Sequence, residues 1–213
     1  MLNMSYMFYS CNSLQLLDIS NFITNNVKNM THMFFDCNLI NTLNVKNFNT
    51  DLVNDLSFAF SGCYSVTELN VMNFKTDNVL NMSGMFEDCK LLTSLEISGF
   101  STNKVKDMSK MFKNCELLQY LDVSRFNTEN VLDMSDFFKG CQKLEEIDIS
   151  KFNTFQVKNM SGFFDGCYLL KGLSINNNFD TSNVKNMSRM FRDCTKLTSA
   201  DISIFKTKNV LDM

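Results

Sequence analysis

Eight cysteines are the residues in this chain whose type and number could most readily do chemistry: Cys11, Cys37, Cys63, Cys89, Cys115, Cys141, Cys167 and Cys194. Thiolates can ligate zinc, act as nucleophiles or pair as disulfides. Zinc sites draw on Cys or His pairs only a few residues apart. Here six of the seven intervals are 26 residues and the last is 27. That spacing fits no metal pattern, and the thiols are expected to be free and buried, as small core groups. The only histidine is His32. Its position holds Tyr6, Gly84, Lys110, Asp136 or Arg189 in other copies of the spacing, so it reads as a solvated helix face. No Ser/His or Cys/His set can be assembled around it. Neither a phosphate-binding glycine loop nor a dinucleotide fingerprint is present. The reading is therefore not an enzyme, with no catalytic residue, no metal ligand and no cofactor.

The cysteine ladder is one of several in phase. Phe22, Phe48, Phe74, Phe100, Phe126, Phe152, Phe179 and Phe205 keep the same step. A Thr stands two residues after each Phe, from Thr24 to Thr207, and a Val three residues after each Thr, from Val27 to Val210. Self-similarity at a fixed period of this length marks a solenoid. The domain reading is one repeat domain over 1–213, made of eight tandem 26-residue copies, one of them 27. Met1–Met4 and Val210–Met213 share a phase, and neither end changes composition. The chain is thus expected to be a fragment lacking caps, prone to end-to-end self-association, because a terminal copy leaves one apolar face bare.

Within a copy, Leu92, Leu95 and Ile97 form an L-x-x-L-x-I segment that alternates as a half-buried strand does. Residues 17–19, 95–97 and 147–149 are predicted to be extended and to stack as a parallel sheet. Met82, Met85, Phe86 and Cys89 fall at i, i+3, i+4 and i+7, the stripe of a short helix. This predicts helices near 83–89 and 109–115, with Ser83 as N-cap. Thr102 and Asp107 are expected to bond backbone within their own turn. The fold class expected is a right-handed solenoid, mainly β with short helical turns. Asn-Met-Ser/Thr at Asn3, Asn29, Asn81, Asn159 and Asn186 matches the glycosylation sequon. Asp55, Asp107 and Asp133 take the same place, so a turn or cap role is expected instead.

The motif V-x-[ND]-M-S-x-M-F-x-x-C-x-x-L-x-x-L-x-[IV]-S-x-F-x-T resembles the 26-residue repeats of BspA-like leucine-rich-repeat bacterial surface proteins, including mycoplasma lipoprotein-type repeats. The resemblance covers the whole chain. Leu56 and Ala59 replace both Met positions in the third copy, and Phe137 and Phe163 replace the second Met in two others. The resemblance implies a leucine-rich-repeat solenoid in a larger protein, at the cell surface or secreted, with a binding or adhesion role and no catalytic residue. A protein partner or a host or cell-surface ligand is the partner it implies.

The formal net charge is −3 with a pI near 5.2, which argues against a phosphate-binding surface and hence against nucleic acid. No apolar run reaches the roughly 18 residues of a transmembrane segment, and no signal peptide is visible. Outward positions of the strand segments carry seven carboxylates and no Lys or Arg: Asp18, Glu68, Glu96, Asp122, Glu146, Asp148 and Asp201. The candidate binding face is Glu68, Glu96, Tyr120, Asp122, Glu146 and Asp148. It suits a basic protein patch or a weakly held divalent cation. Repulsion between rungs predicts that neutralising the stripe raises stability. The alternative function is a structural spacer whose rungs are interchangeable.

Overall fold

The computed structural model describes residues 2–213. The chain winds as a stack of coils, each laid in register on the next. Single parallel bridges join Asn3 to Asn29, Asn29 to Asp55, and onward by one repeat at a time to Asn186 and Asp212. Coils are numbered 1 to 8 by their Met-to-Cys segments: 4–11, 30–37, 56–63, 82–89, 108–115, 134–141, 160–167 and 187–194.

Those segments are not helices, and no helix occurs among the described residues. The correction has a clear cause. Two residues in each segment have left-handed φ, four positions apart: Gly84 (57°) and Asp88 (60°) in coil 4, Lys110 (59°) and Asn114 (57°) in coil 5. An α-helix needs every φ near −63°. The chain instead makes overlapping tight turns. Met85, Glu87 and Cys89 donate their amides three residues back, to Met82, Gly84 and Phe86. The alternate amides leave the coil altogether. Met82, Gly84, Phe86 and Asp88 donate to the carbonyls of Asp107, Ser109, Met111 and Lys113 in the next coil, at 2.8–3.0 Å. Three-residue turns bring Met82, Met85, Phe86 and Cys89 to one side as a helix would. All four are fully buried, so the apolar stripe is real although the helix is not.

Ser83 is not the cap. The side chain of Asn81 accepts the Ser83 amide at 2.9 Å, and Asp107 accepts that of Ser109 at 2.8 Å. The [ND] position of the repeat is thus an Asx turn, as expected of Asp107. Thr102 behaves differently from expectation. Its hydroxyl donates to the Asn127 carbonyl at 2.8 Å and accepts the Asn127 amide at 2.7 Å. It bonds the next coil and not its own turn. The Thr two residues after each repeat Phe, from Thr24 to Thr181, donates to the next coil in this way, and all seven are buried. One hydroxyl at this place satisfies a donor and an acceptor that the sharp corner beside Phe126 in the next coil leaves unpaired.

The sheet is smaller than expected. β1 (Thr42–Leu43) pairs in parallel with β2 (Glu68–Leu69), and β3 (Glu146–Asp148) with β4 (Gly172–Ser174). Residues 17–19 and 95–97 lie outside any strand, and the prediction over 147–149 holds for Ile147 and Asp148. Leu95 and Ile97 are buried all the same. Packing, not pairing, holds those rungs. Inside the stack Phe8, Phe34, Phe60, Phe86, Phe112, Phe138, Phe164 and Phe191 form one column of parallel rings, with centroids 5.5–5.8 Å apart.

Thr102→Val keeps the shape and removes both bonds to Asn127. Stability should fall by roughly 1–3 kcal/mol, the penalty for orphaned buried polar groups. Thr207 is exposed, and Thr207→Val should change stability by less than about 0.5 kcal/mol. Equilibrium urea unfolding of the two variants checks the difference.

Candidate binding face

The L-x-x-L-x-I rungs form one long side of the stack. Leu95, Ile97, Leu121, Val123, Ile147 and Ile149 point inward and are buried. The residues between them point outward. One per coil then bends back on its own chain: Glu96 Oε1 accepts the Ser98 amide at 2.9 Å, Asp122 Oδ1 that of Ser124 at 2.9 Å, and Asp148 Oδ1 that of Ser150 at 2.8 Å. Asp18 and Asp201 do the same. These carboxylates therefore end the rung as well as facing solvent.

All six residues predicted for the face come together. A depression of about 200 Å³ is bordered by Glu68 and Glu96. A second, of about 380 Å³, is bordered by Glu96, Tyr120 and Asp122. A third, of about 390 Å³, is bordered by Tyr120, Asp122, Glu146 and Asp148. Neighbouring depressions share residues, so they form one trough along the stack, with Tyr120 (70% exposed) standing between the two larger parts. Gly172 and Ser174 keep the floor of the third part low. A Cβ at Gly172 would lie 3.1 Å from Glu146 Cγ. The trough runs from β2 past the unpaired rungs 95–97 and 121–123 to the paired β3 and β4. The carboxylates are legible in the sequence, but the depressions beside them are not.

Electrostatics along the trough run against simple repulsion. Hydrogen bonds from Ser98, Ser124 and Ser150 hold Glu96, Asp122 and Asp148 below the ordinary carboxylate range. Ser20 and Ser203 do so for Asp18 and Asp201. The opposing effect of Asp122 on Glu96 and Asp148 is smaller. Lowering the pH to protonate these carboxylates should therefore destabilise the fold. The carboxylates come one or two to a coil, and among the described residues no three His, Cys, Asp or Glu gather to hold a metal.

The other chemically capable residues lie elsewhere. All eight cysteines are free thiols. From Cys37 to Cys194, each Sγ donates to the carbonyl of the Phe in the preceding coil, at 3.1–3.4 Å. Burial pushes Cys37 and Cys141 up to about 12 and Cys194 to about 11, so none of these is a thiolate near neutral pH. His32 is not a solvated residue. It is half-buried, with its ring stacked between Tyr6 at 4.9 Å and Phe58 at 4.8 Å. Burial lowers its pKa.

The family described as "Mycoplasma protein of unknown function, DUF285" matches residues 2–121, 92–176 and 170–213. No curated protein matches the chain. Among solved structures, a leucine-rich repeat protein from Bacteroides ovatus ATCC 8483 is similar at 18% identity. The match covers 93% of this chain and 70% of that one, with a TM-score of 0.29.

The lowered carboxylates set a pH dependence. A group whose pKa is depressed on folding adds stability that is present above its unfolded value and lost as pH falls through its folded one. The unfolded values are about 3.9 for Asp and about 4.3 for Glu. The thermal midpoint should hold steady above that range and decline below it. Asp122→Asn and Asp148→Asn keep the turn acceptor without titrating, and together they should flatten the decline. Thermal unfolding followed from neutral pH to about pH 2.5 measures both.

Proposed function

The chain belongs to the DUF285 family of mycoplasma repeat proteins, and on that premise we propose that it is a non-enzymatic binding or adhesion module of a larger surface protein. The observation that carries this reading is the continuous acidic trough. Glu68, Glu96, Tyr120, Asp122, Glu146 and Asp148 border three joined depressions on one side of a rigid stack. The partner proposed is a protein surface bearing lysines or arginines. Clustered charge of one sign speeds encounter with the opposite sign, and Tyr120 offers a ring beside it for a cation to cover. Surface exposure on the cell is part of the proposal and rests on the family. The winding is taken as right-handed, the sense that parallel crossovers adopt.

A spacer role is the second reading, and one observation favours it. Asn44 and Asn70 accept the amide two residues on, as Glu96, Asp122 and Asp148 do in their coils, so rungs are partly interchangeable. The same observation also supports binding. An uncharged side chain suffices for the turn at Asn44 and Asn70, so the charge that Asp122 and Asp148 add there is also available to a partner.

The test removes charge and keeps shape: Glu96→Gln, Asp122→Asn, Glu146→Gln and Asp148→Asn together. Octalysine is the probe, titrated at two salt concentrations. Four exposed ion pairs contribute a few tenths to one kcal/mol each, so affinity should drop by about tenfold and its salt dependence should flatten. Unchanged affinity and salt dependence would reject the trough and leave the spacer ahead.

A further inference from the structure

The turn face of the stack, on which His32 lies, changes character along its length. In coils 1 to 3 the first left-handed position holds Tyr6, His32 and Phe58, and the residue three further on holds Tyr9, Phe35 and Ser61. In coils 4 to 8 the first position holds Gly84, Lys110, Asp136, Gly162 and Arg189. The second then holds Glu87, Lys113, Lys139, Asp165 and Arg192. The repeats are their own control. Five coils adopt the same backbone with no ring at either place, so the fold does not need rings there. Five of the six places in coils 1 to 3 nevertheless carry one.

The rings form two adjoining rows. Tyr6, His32 and Phe58 stack at 4.9 and 4.8 Å, and Tyr9 stacks on Phe35 at 5.0 Å. His32 and Phe35 join the rows at 5.1 Å. None of the five is buried: His32, Phe35 and Phe58 are half-buried, while Tyr6 and Tyr9 are exposed. The last ring has a prepared seat. A Cβ on Gly84 would lie 2.3 Å from the Phe58 ring, so the glycine of coil 4 lets that ring lie flat. His32, Phe35 and Phe58 belong to coils with neighbours on both sides, so the ridge is a feature of the stack's side.

The turn segments that carry the ridge hold no cation of their own, and the nearest in sequence is Lys28, two residues before the second segment. Segments 4–11, 30–37 and 56–63 contain no Lys or Arg, and they contain Asp36, with Asp55 directly before the third. Asp55 acts on His32 and Asp88 on Asp36. In the neighbouring row the molecule supplies its own cation: Lys90 Nζ sits 5.4 Å from the Tyr64 ring centre and pairs with Glu116 at 3.2 Å. The ridge has rings and carboxylates and lacks that cation.

We propose that the aromatic ridge of coils 1 to 3 is a second docking surface, and that its partner is a protein segment presenting an arginine or lysine among apolar side chains. The apolar side chains pack along the ring edges, and the cation is held by Asp36 and Asp55. Binding here depends on apolar contact more than on charge, unlike binding in the acidic trough.

His32 is the only histidine, so its ring protons report on the ridge without assignment ambiguity. The full chain is titrated with acetyl-Leu-Arg-Leu-Leu-Arg-Leu-amide and with the same peptide carrying Glu in place of Arg. The His32 signal should shift saturably with the first peptide and bind the second at least about fivefold more weakly, as two lost ion pairs require. The shift should persist in the four-charge trough variant. It should vanish in a protein carrying Phe35→Ser and Phe58→Gly, which places at each site a residue that another coil already uses there. A chemical-shift spectrum that otherwise matches the parent shows that this variant is folded. No shift, equal shifts with both peptides, or an unchanged shift in the ridge variant would overturn the proposal. So would a His32 shift that grows with protein concentration alone, which would assign the ridge to a second copy of the chain.

Discussion

Everything in this molecule depends on where alternate amides of the Met-to-Cys segment point. Two left-handed residues per coil flip the peptide planes so that every second N–H leaves the coil and meets a carbonyl of the next. One coil cannot satisfy its own backbone, and buried N–H and C=O groups must be paired. Stacking is therefore obligatory, and its register is fixed to the residue. The buried Thr hydroxyl at the opposite corner and the Asx bridge beside Val79 repeat that register at two more places. The Phe column, the Cys–carbonyl contacts and the Asp and Glu turns then fall into line because the pitch has already been set.

The sequence made the repeat, its length and its inward residues legible, because burial needs the same residue types at the same phase in every coil. Val79, Met82, Phe86, Cys89, Leu92 and Phe100 are all buried as that phase requires. The helix was misread because overlapping three-residue turns and a 3.6-residue helix put apolar side chains at nearly the same spacings. Lys110, Asp136 and Arg189 gave no hint of left-handed φ, since residues of many types stand at that position. The reach of Thr102 into the next coil was hidden for a related reason. Its invariance declared a structural duty, but its partner stands 25 residues away.

The same division holds for the candidate surfaces. The five acidic residues of the trough and Tyr120 are legible as outward positions of the rungs, and all six line the joined depressions. The room between them cannot be counted in a sequence, since it depends on how successive rungs pack; it runs past the unpaired rungs 95–97 and 121–123 and past the paired β3 and β4 alike. The aromatic ridge is not legible when His32 is set against the consensus of all copies. Its meaning lies in adjacent copies, where Tyr6 and Phe58 stand directly above and below it. In a solenoid a row of side chains is a surface, and a departure confined to a few neighbouring rows carries more information than a consensus.

The central claim is that the turn segments, and not the leucine rungs, hold the coils together. Amide hydrogen exchange resolved by residue across coils 4 and 5 tests it most directly. The amides of Met82, Gly84, Phe86 and Asp88, each bonded to the next coil, should exchange slowly and together, at rates set by global unfolding. The amides of Leu95, Glu96, Leu121 and Asp122, which lie outside the paired strands, should exchange faster by several orders of magnitude. Rungs protected as strongly as the turns, or turn amides that exchange freely while the rungs resist, would contradict the account.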